Sequence, residues 1–329
     1  RGFAVISNDS GHASDVPFDA SFKKDQLSTI NFAYASVEKV TEMGRLIVDR
    51  YYGREADHSY FVGCSTGGRE GMIAAQRYPE LFDGIIAGAP AMRTDRSNMS
   101  LARKAVAMNA MVPDAGDGTP DRAAAFSPEQ REFVLASIVE ACDGLDGLED
   151  GMIFNSKQCG FDPAKLVCSA GENEKCLSPE QAKFLSEAFA PTLNAGGQQN
   201  YPSFPVDTGV VSDTDPIPGL LRFDDKRNRQ FRNAARSFDV DVETAKVDAD
   251  PHQRLINTDQ WKDLGSFAAR GSKMIFYHGM SDPWFSANDT IDYYEKMTQV
   301  TSARVPADDW SRLYLVPGMA HCRGGPGGL

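Results

Sequence analysis

The 329-residue chain reads as an α/β protein built on a doubly wound, mainly parallel sheet that is interrupted by a large insertion. Three observations predict this. Short, near-continuous apolar runs alternate with helical patterns in the first ninety and the last sixty residues. Between residues 91 and 271 that rhythm gives way to Pro/Gly turns, clustered cysteines and charged stretches such as Asp224-Asp225-Lys226-Arg227. At Gly63-Cys64-Ser65-Thr66-Gly67, a buried strand turns directly into a helix.

The elements follow in order. Residues 2–7 carry a strand pattern, and residues 27–52 a long helical one. Tyr60-Phe61-Val62 closes a buried strand, and 68–78 is helical until Pro79 stops it. Residues 82–90 form another buried strand. In the insertion, helical patterns at 128–141 and 179–190 each begin with Ser-Pro, a good cap followed by proline at the first helical position. Residues 273–278 then read as a strand, 288–298 as a helix and 312–316 as a final strand. The domain boundaries expected are 1–90 with 272–329 for the sheet domain, and 91–271 for an inserted cap, or lid.

Bulk properties narrow the function. A net charge of −12 excludes a nucleic-acid or anionic-membrane partner, because both require a basic face. No apolar run reaches the length of a membrane span. The cysteines stand at 64, 142, 159, 168, 176 and 322. The four central ones lie among Gly, Asp, Asn and Ser, without the C-x₂-C pairs or neighbouring histidine of a zinc site, so disulfides are expected and with them a secreted or periplasmic protein.

G-x-S-x-G at a strand-to-helix turn is the nucleophile elbow of α/β-hydrolases, in which glycines admit a strained turn that exposes the serine hydroxyl. Ser65 then needs a base and an acid, in the chain order serine, acid, histidine. Of the five histidines, His12 and His58 precede the serine, His252 lies in the insertion and His278 ends a strand, where a structural role is expected. His321 follows the last strand and a flexible turn, which is where the base belongs. Asp282, four residues after His278, is the expected acid; Asp289 and Asp292 compete but fall inside the next helix as solvated charges. Cys64 adjoins Ser65 and Cys322 adjoins His321, so a serine–histidine hydrogen bond of about 3 Å would bring the two sulfurs within disulfide reach. Thr66, just after the nucleophile, offers a backbone N–H to the oxyanion. Thr66, Gly67 and Gly68 are the expected pocket floor, and Trp284 and Phe285 can either contact substrate or pack under the cap.

Carried by Cys64-Ser65, Asp282 and His321-Cys322, the chain resembles the tannase/feruloyl esterase family over nearly its whole length. The blocks at 63–90, 278–295 and 317–327 look like that family throughout. The resemblance implies a secreted serine esterase with no organic cofactor, acting on a small-molecule or polysaccharide-linked aromatic ester: a gallate, a hydroxycinnamate or, in one branch, a terephthalate monoester. Feruloyl-type esters are favoured, and the oligomeric state is left open. It also implies disulfides Cys142–Cys159 and Cys168–Cys176, and a structural calcium in the cap held by Asp143, Asp146 and Asp150 with the carbonyls of Leu148 and Met152. Three aspartates spaced by glycines supply the oxygen donors that a hard cation takes, although the spacing is not that of an EF-hand. Only 64 residues precede Ser65, and the chain stops soon after Cys322, so a parent longer at both ends is expected. The family's upstream oxyanion segment is missing from the sequence. The rival from another class is a non-catalytic relative that uses the cap as a calcium-dependent binding surface.

Overall fold

In the computed structural model, residues 2–15, 19–169, 175–212, 219–222 and 234–327 are described; the charged stretch Asp224-Asp225-Lys226-Arg227 lies outside them. The elements are α1 (Gln26–Ile30), α2 (Ser36–Tyr52), β1 (Tyr60–Cys64), α3 (Thr66–Arg77), β2 (Gly84–Gly88) and α4 (Thr94–Met111). There follow α5 (Pro128–Cys142), α6 (Pro179–Phe189), β3 (Thr192–Leu193), β4 (Gln199–Tyr201), α7 (Val240–Ala249) and α8 (Pro251–Ile256). The chain ends through α9 (Gly265–Ala269), β5 (Lys273–Gly279), α10 (Ala287–Thr301), α11 (Ala307–Trp310) and β6 (Ser311–Val316).

Four strands form one sheet in the order β1-β2-β5-β6, and both β1/β2 and β2/β5 pair in parallel. The crossovers between them run through helices, the arrangement expected of an α/β-hydrolase sheet. The chain divides into two compact units: residues 1–93, 248–277 and 292–314 in the first, and 94–247, 278–291 and 315–329 in the second.

The first unit owns the sheet core. Met72, Ile73 and Ala75 of α3 pack with Ile85 and Ala87 of β2, Met274 and Phe276 of β5, and Trp310. The long helical pattern at 27–52 is broken into two helices by a π-helical turn, Asn31–Ala35. Such a turn releases carbonyls from the regular ladder. Buried Arg69 takes two of them, donating to Ala33 O at 2.7 Å and Phe32 O at 2.6 Å. Helix α2 then ends at Gly53, whose φ of 68° gives the left-handed cap. The strand expected at 2–7 does not form: the segment pairs with no strand among the described residues, and Phe3, Val5 and Ile6 stay exposed.

The second unit is mainly helical. Helices α5 and α6 begin on Ser127 and Ser178, each bonded to the amide three residues on, with Gln130 and Gln181 reaching back to the cap amide. The two glutamine side chains also bond to each other, at 3.1 and 2.9 Å, which ties the helix starts together. Disulfides Cys142–Cys159 and Cys168–Cys176 staple this unit, with Cα separations of 4.9 and 4.8 Å. None of the six cysteines is free.

Candidate active site

Ser65 stands between β1 and α3 with φ 64° and ψ −119°, a conformation that L-residues avoid. Its backbone is held from both sides. The Ser65 N–H donates to Gly88 O at 3.0 Å, while its carbonyl accepts from the amides of Arg69 and Ala91. The flanking glycines are steric requirements. A Cβ on Gly63 would meet Gly67 O at 2.4 Å, and one on Gly68 would meet Gly88 O at 2.2 Å. Both obstacles are backbone and cannot swing away. Gly67 by contrast faces open space, and Thr66 opens α3, where the first amides have no intrahelical acceptor.

The residues expected as acid and base meet in the second unit. His321 Nδ1 lies 2.6 Å from Asp282 Oδ2, and its other nitrogen, Nε2, lies 3.7 Å from Cys322 Sγ. Asp282 is buried, and its other oxygen, Oδ1, accepts from the amides of Trp284 at 2.9 Å and Phe285 at 3.0 Å. Burial pushes its carboxyl up, but the charge of His321 and hydrogen bonds from His278 and His321 outweigh that and hold it well below the usual carboxylate range. Trp284 and Phe285 are buried and stacked, with ring centroids 4.9 Å apart, and their rings sit 5.6 and 5.2 Å from the His321 ring. Asp289 is buried in the first turn of α10, not solvated as its place in a helix suggested.

Three further groups support this pair: Lys104 and Asp207 carry no sequence signal, while His278 takes the structural role expected of a strand-end histidine. Lys104 of α4 is buried, with Nζ 2.9 Å from the centroid of Phe204 and 3.5 Å from Pro283 O. Burial, then repulsion from Arg103, holds its amine well below the ordinary lysine range, against the pull of Asp282. Asp207 is fully buried and bridges two loops, Oδ2 accepting from Ser281 Oγ at 2.6 Å and from the Gly318 amide at 2.7 Å. It thereby ties the turn after β5, which carries the acid, to the turn after β6, which leads to the histidine. His278, the strand-end histidine, is fully buried and lies 3.2 Å from Asp282 Oδ2.

The calcium loop is not reproduced as a metal centre. Among the described residues no group of three or more His, Cys, Asp or Glu is arranged to hold a metal ion. The donor set has the right chemistry, but its carboxylates turn to amides of their own loop. Asp143 accepts from Gly151, Asp146 from Leu148 and Phe154, and Asp150 from Met152. No helix among the described residues is long and apolar enough to cross a membrane.

The model of the family described as "Tannase and feruloyl esterase" matches residues 1–328. Mono(2-hydroxyethyl) terephthalate hydrolase of Piscinibacter sakaiensis is 36% identical, over 99% of this chain and 63% of that protein. A probable feruloyl esterase B-2 of Aspergillus flavus is 29% identical, over 99% of this chain and 61% of its own length. The chain thus spans about three fifths of these relatives. Among solved structures, feruloyl esterase B from Aspergillus oryzae superposes with a TM-score of 0.72 at 27% identity, covering 94% of this chain and 61% of that one. Tannin acyl hydrolase from Aspergillus niger shares the fold, with a TM-score of 0.68 at 22% identity over 91% of this chain and 58% of that one. With a serine at a strand-to-helix turn, an Asp–His pair and a family model matched over residues 1–328, the chain belongs to the tannase and feruloyl esterase family.

Proposed function

We propose that this chain carries the catalytic machinery of a secreted serine esterase that hydrolyses esters of aromatic acids, feruloyl-type esters first among them. Ser65 is the nucleophile, His321 the base, Asp282 the group that orients the base, and the Thr66 amide an oxyanion donor. The observation that carries the reading is the 2.6 Å contact of Asp282 with His321 Nδ1, which orients the ring through the nitrogen opposite the one a base would use.

In the reaction, Nε2 takes the Ser65 hydroxyl proton as the oxygen attacks the ester carbonyl carbon. The Thr66 N–H binds the oxyanion that forms, and Asp282 stabilises the imidazolium. Collapse breaks the ester C–O bond, and His321 returns the proton to the departing alcohol. Water, deprotonated by the same nitrogen, then attacks the acyl-enzyme and frees the aromatic acid and Ser65. The stacked Trp284 and Phe285 beside the imidazole give an aromatic acyl group surfaces to pack on.

The rest of the reading follows the same lines. Cys64 and Cys322 bond to each other and clamp the two catalytic loops; no cysteine is free, and the other four are paired within the second unit. Disulfides support an oxidising compartment. Residues 1–90 and 272–329 form the catalytic domain, with the cap at 91–271; in support, the sheet takes strands from both sides of the insertion. Calcium binds the cap at Asp143, Asp146 and Asp150 with the carbonyls of Leu148 and Met152, once the carboxylates release their amides, and its role is structural. A terephthalate monoester is the second reading for substrate, favoured by 36% identity to the terephthalate hydrolase against 29% to the feruloyl esterase.

The test is release of acid from feruloyl, galloyl and terephthaloyl esters by the protein and its Ser65→Ala variant. Fastest turnover on the feruloyl ester, abolished in a variant that remains folded, supports the proposal. Retained turnover in Ser65→Ala refutes the site.

A further inference from the structure

Asp282 serves two imidazoles, and the second has no place in a three-residue account. His278 is completely buried at the end of β5. Its Nε2 lies 3.2 Å from Asp282 Oδ2 and 3.0 Å from Phe285 O, and its Nδ1 lies 2.8 Å from Thr290 Oγ1 on α10. The partners dictate the tautomer. A backbone carbonyl and an ionised carboxylate can only accept, so Nε2 carries the proton. Nδ1 pairs with the Thr290 hydroxyl, a group that can donate or accept, so both ring nitrogens are satisfied inside the protein.

The two histidines therefore use opposite nitrogens on one carboxylate oxygen: His321 through Nδ1 at 2.6 Å, His278 through Nε2 at 3.2 Å. With the Trp284 and Phe285 amides on Oδ1, four donors fix the carboxylate about its last rotatable bond. Lys104, from α4, is the other charged group that acts on it. Of these donors, only His278 is a side chain whose hydrogen bond with Thr290 makes it permanent, independent of the proton that His321 gains and loses in each cycle.

We propose that His278 is a positioning residue for ester hydrolysis: a buried imidazole, held by Thr290, that donates Nε2–H to Asp282 Oδ2 and keeps the carboxylate aimed at His321. This rests on the assignment of Asp282 and His321 given above. It separates two kinds of variant. Gln at 278 can place an N–H where Nε2–H stands, whereas Asn places one at the Nδ1 position and Leu places none.

The experiment compares His278→Gln, His278→Asn and His278→Leu with Ser65→Ala, Asp282→Asn and the unsubstituted parent. It reads kcat and KM on a soluble aromatic ester, and the low-field proton resonance of the His321–Asp282 hydrogen bond. The result expected is kcat within about threefold of the parent in His278→Gln, and a fall of about 30-fold or more in Asn and Leu with KM within twofold, since an interaction that matters only to the transition state is lost. The low-field resonance persists in Gln and shifts or disappears in Asn. Should the Leu variant fail to fold, the Gln-against-Asn pair of polar, similar-sized residues still decides. Equal kcat in Gln and Asn, or parental kcat in a folded Leu variant, overturns the role of His278. If Ser65→Ala and Asp282→Asn turn over as the parent does, the catalytic assignment itself is what fails.

Discussion

Ser65 has its position set by the main chain, whereas Asp282, in the other compact unit, has its position set by hydrogen bonds. The serine sits at φ 64° between glycines that no larger residue can replace, and the backbone of Gly88 and Ala91 pins it. The aspartate has no left-handed backbone; two amides and two imidazoles converge on its carboxylate instead. A hydroxyl must move its proton and turn during reaction, so it is held by the chain and left free at its tip. A buried carboxylate must stay ionised and still, so it is held at its tip. This contrast predicts which changes harm chemistry and which harm folding.

The sharpest break is Asp282→Asn. An amide cannot keep His321 in the right tautomer, and kcat should fall by about 10⁴-fold while the fold survives; steady-state kinetics with circular dichroism checks both halves. Gly68→Ala should do the reverse and damage the fold first, costing about 3 kcal/mol because the new methyl meets Gly88 O. Gly67→Ala, facing open space in the same helix, should be neutral or slightly stabilising by urea denaturation. Calcium at about 100 times its Kd should stabilise the protein by about 2.7 kcal/mol in thermal melts, and Asp146→Asn should remove most of that gain. Absence of any shift would leave the loop as the self-bonded turn described above.

The smallest effect is on stability at acid pH. The Asp282 carboxyl is held below its unfolded value, so its contribution is present above the unfolded pKa of about 3.9 and is lost as pH falls below it. Urea midpoints taken downward from pH 5 should therefore fall more steeply for the parent than for Asp282→Asn. Parallel curves would mean that the carboxylate gains nothing from its four donors.

Backbone-level features could be read from the residues alone. The elbow, the helix stop at Pro79 and the Ser-Pro starts of α5 and α6 depend on sterics within a few neighbours, and the structure has all of them. The disulfides Cys142–Cys159 and Cys168–Cys176 came instead from resemblance, since spacing leaves fifteen pairings open. What depends on distant partners was missed. The strand pattern of residues 2–7 is real in sequence, but a strand needs a neighbour to pair with, and the segment pairs with none among the described residues. The buried state of Lys104 and Asp207 could not be anticipated, because both residue types are ordinary on helix and loop surfaces. Asp289 was misplaced for the same reason. The π-helical turn at Asn31–Ala35 also escaped, since it exists to serve Arg69, thirty-odd residues away in sequence.

Activation of Ser65 by His321, a histidine from the other end of the chain, is tested most directly by covalent labelling. The unsubstituted parent and its His321→Ala variant are treated with a fluorophosphonate, and the labelled peptide is mapped by mass spectrometry. The account predicts stoichiometric modification of Ser65 in the parent and a rate lower by at least 10³-fold without His321. An unlabelled parent, a label on another residue, or equal rates in the two proteins would contradict it.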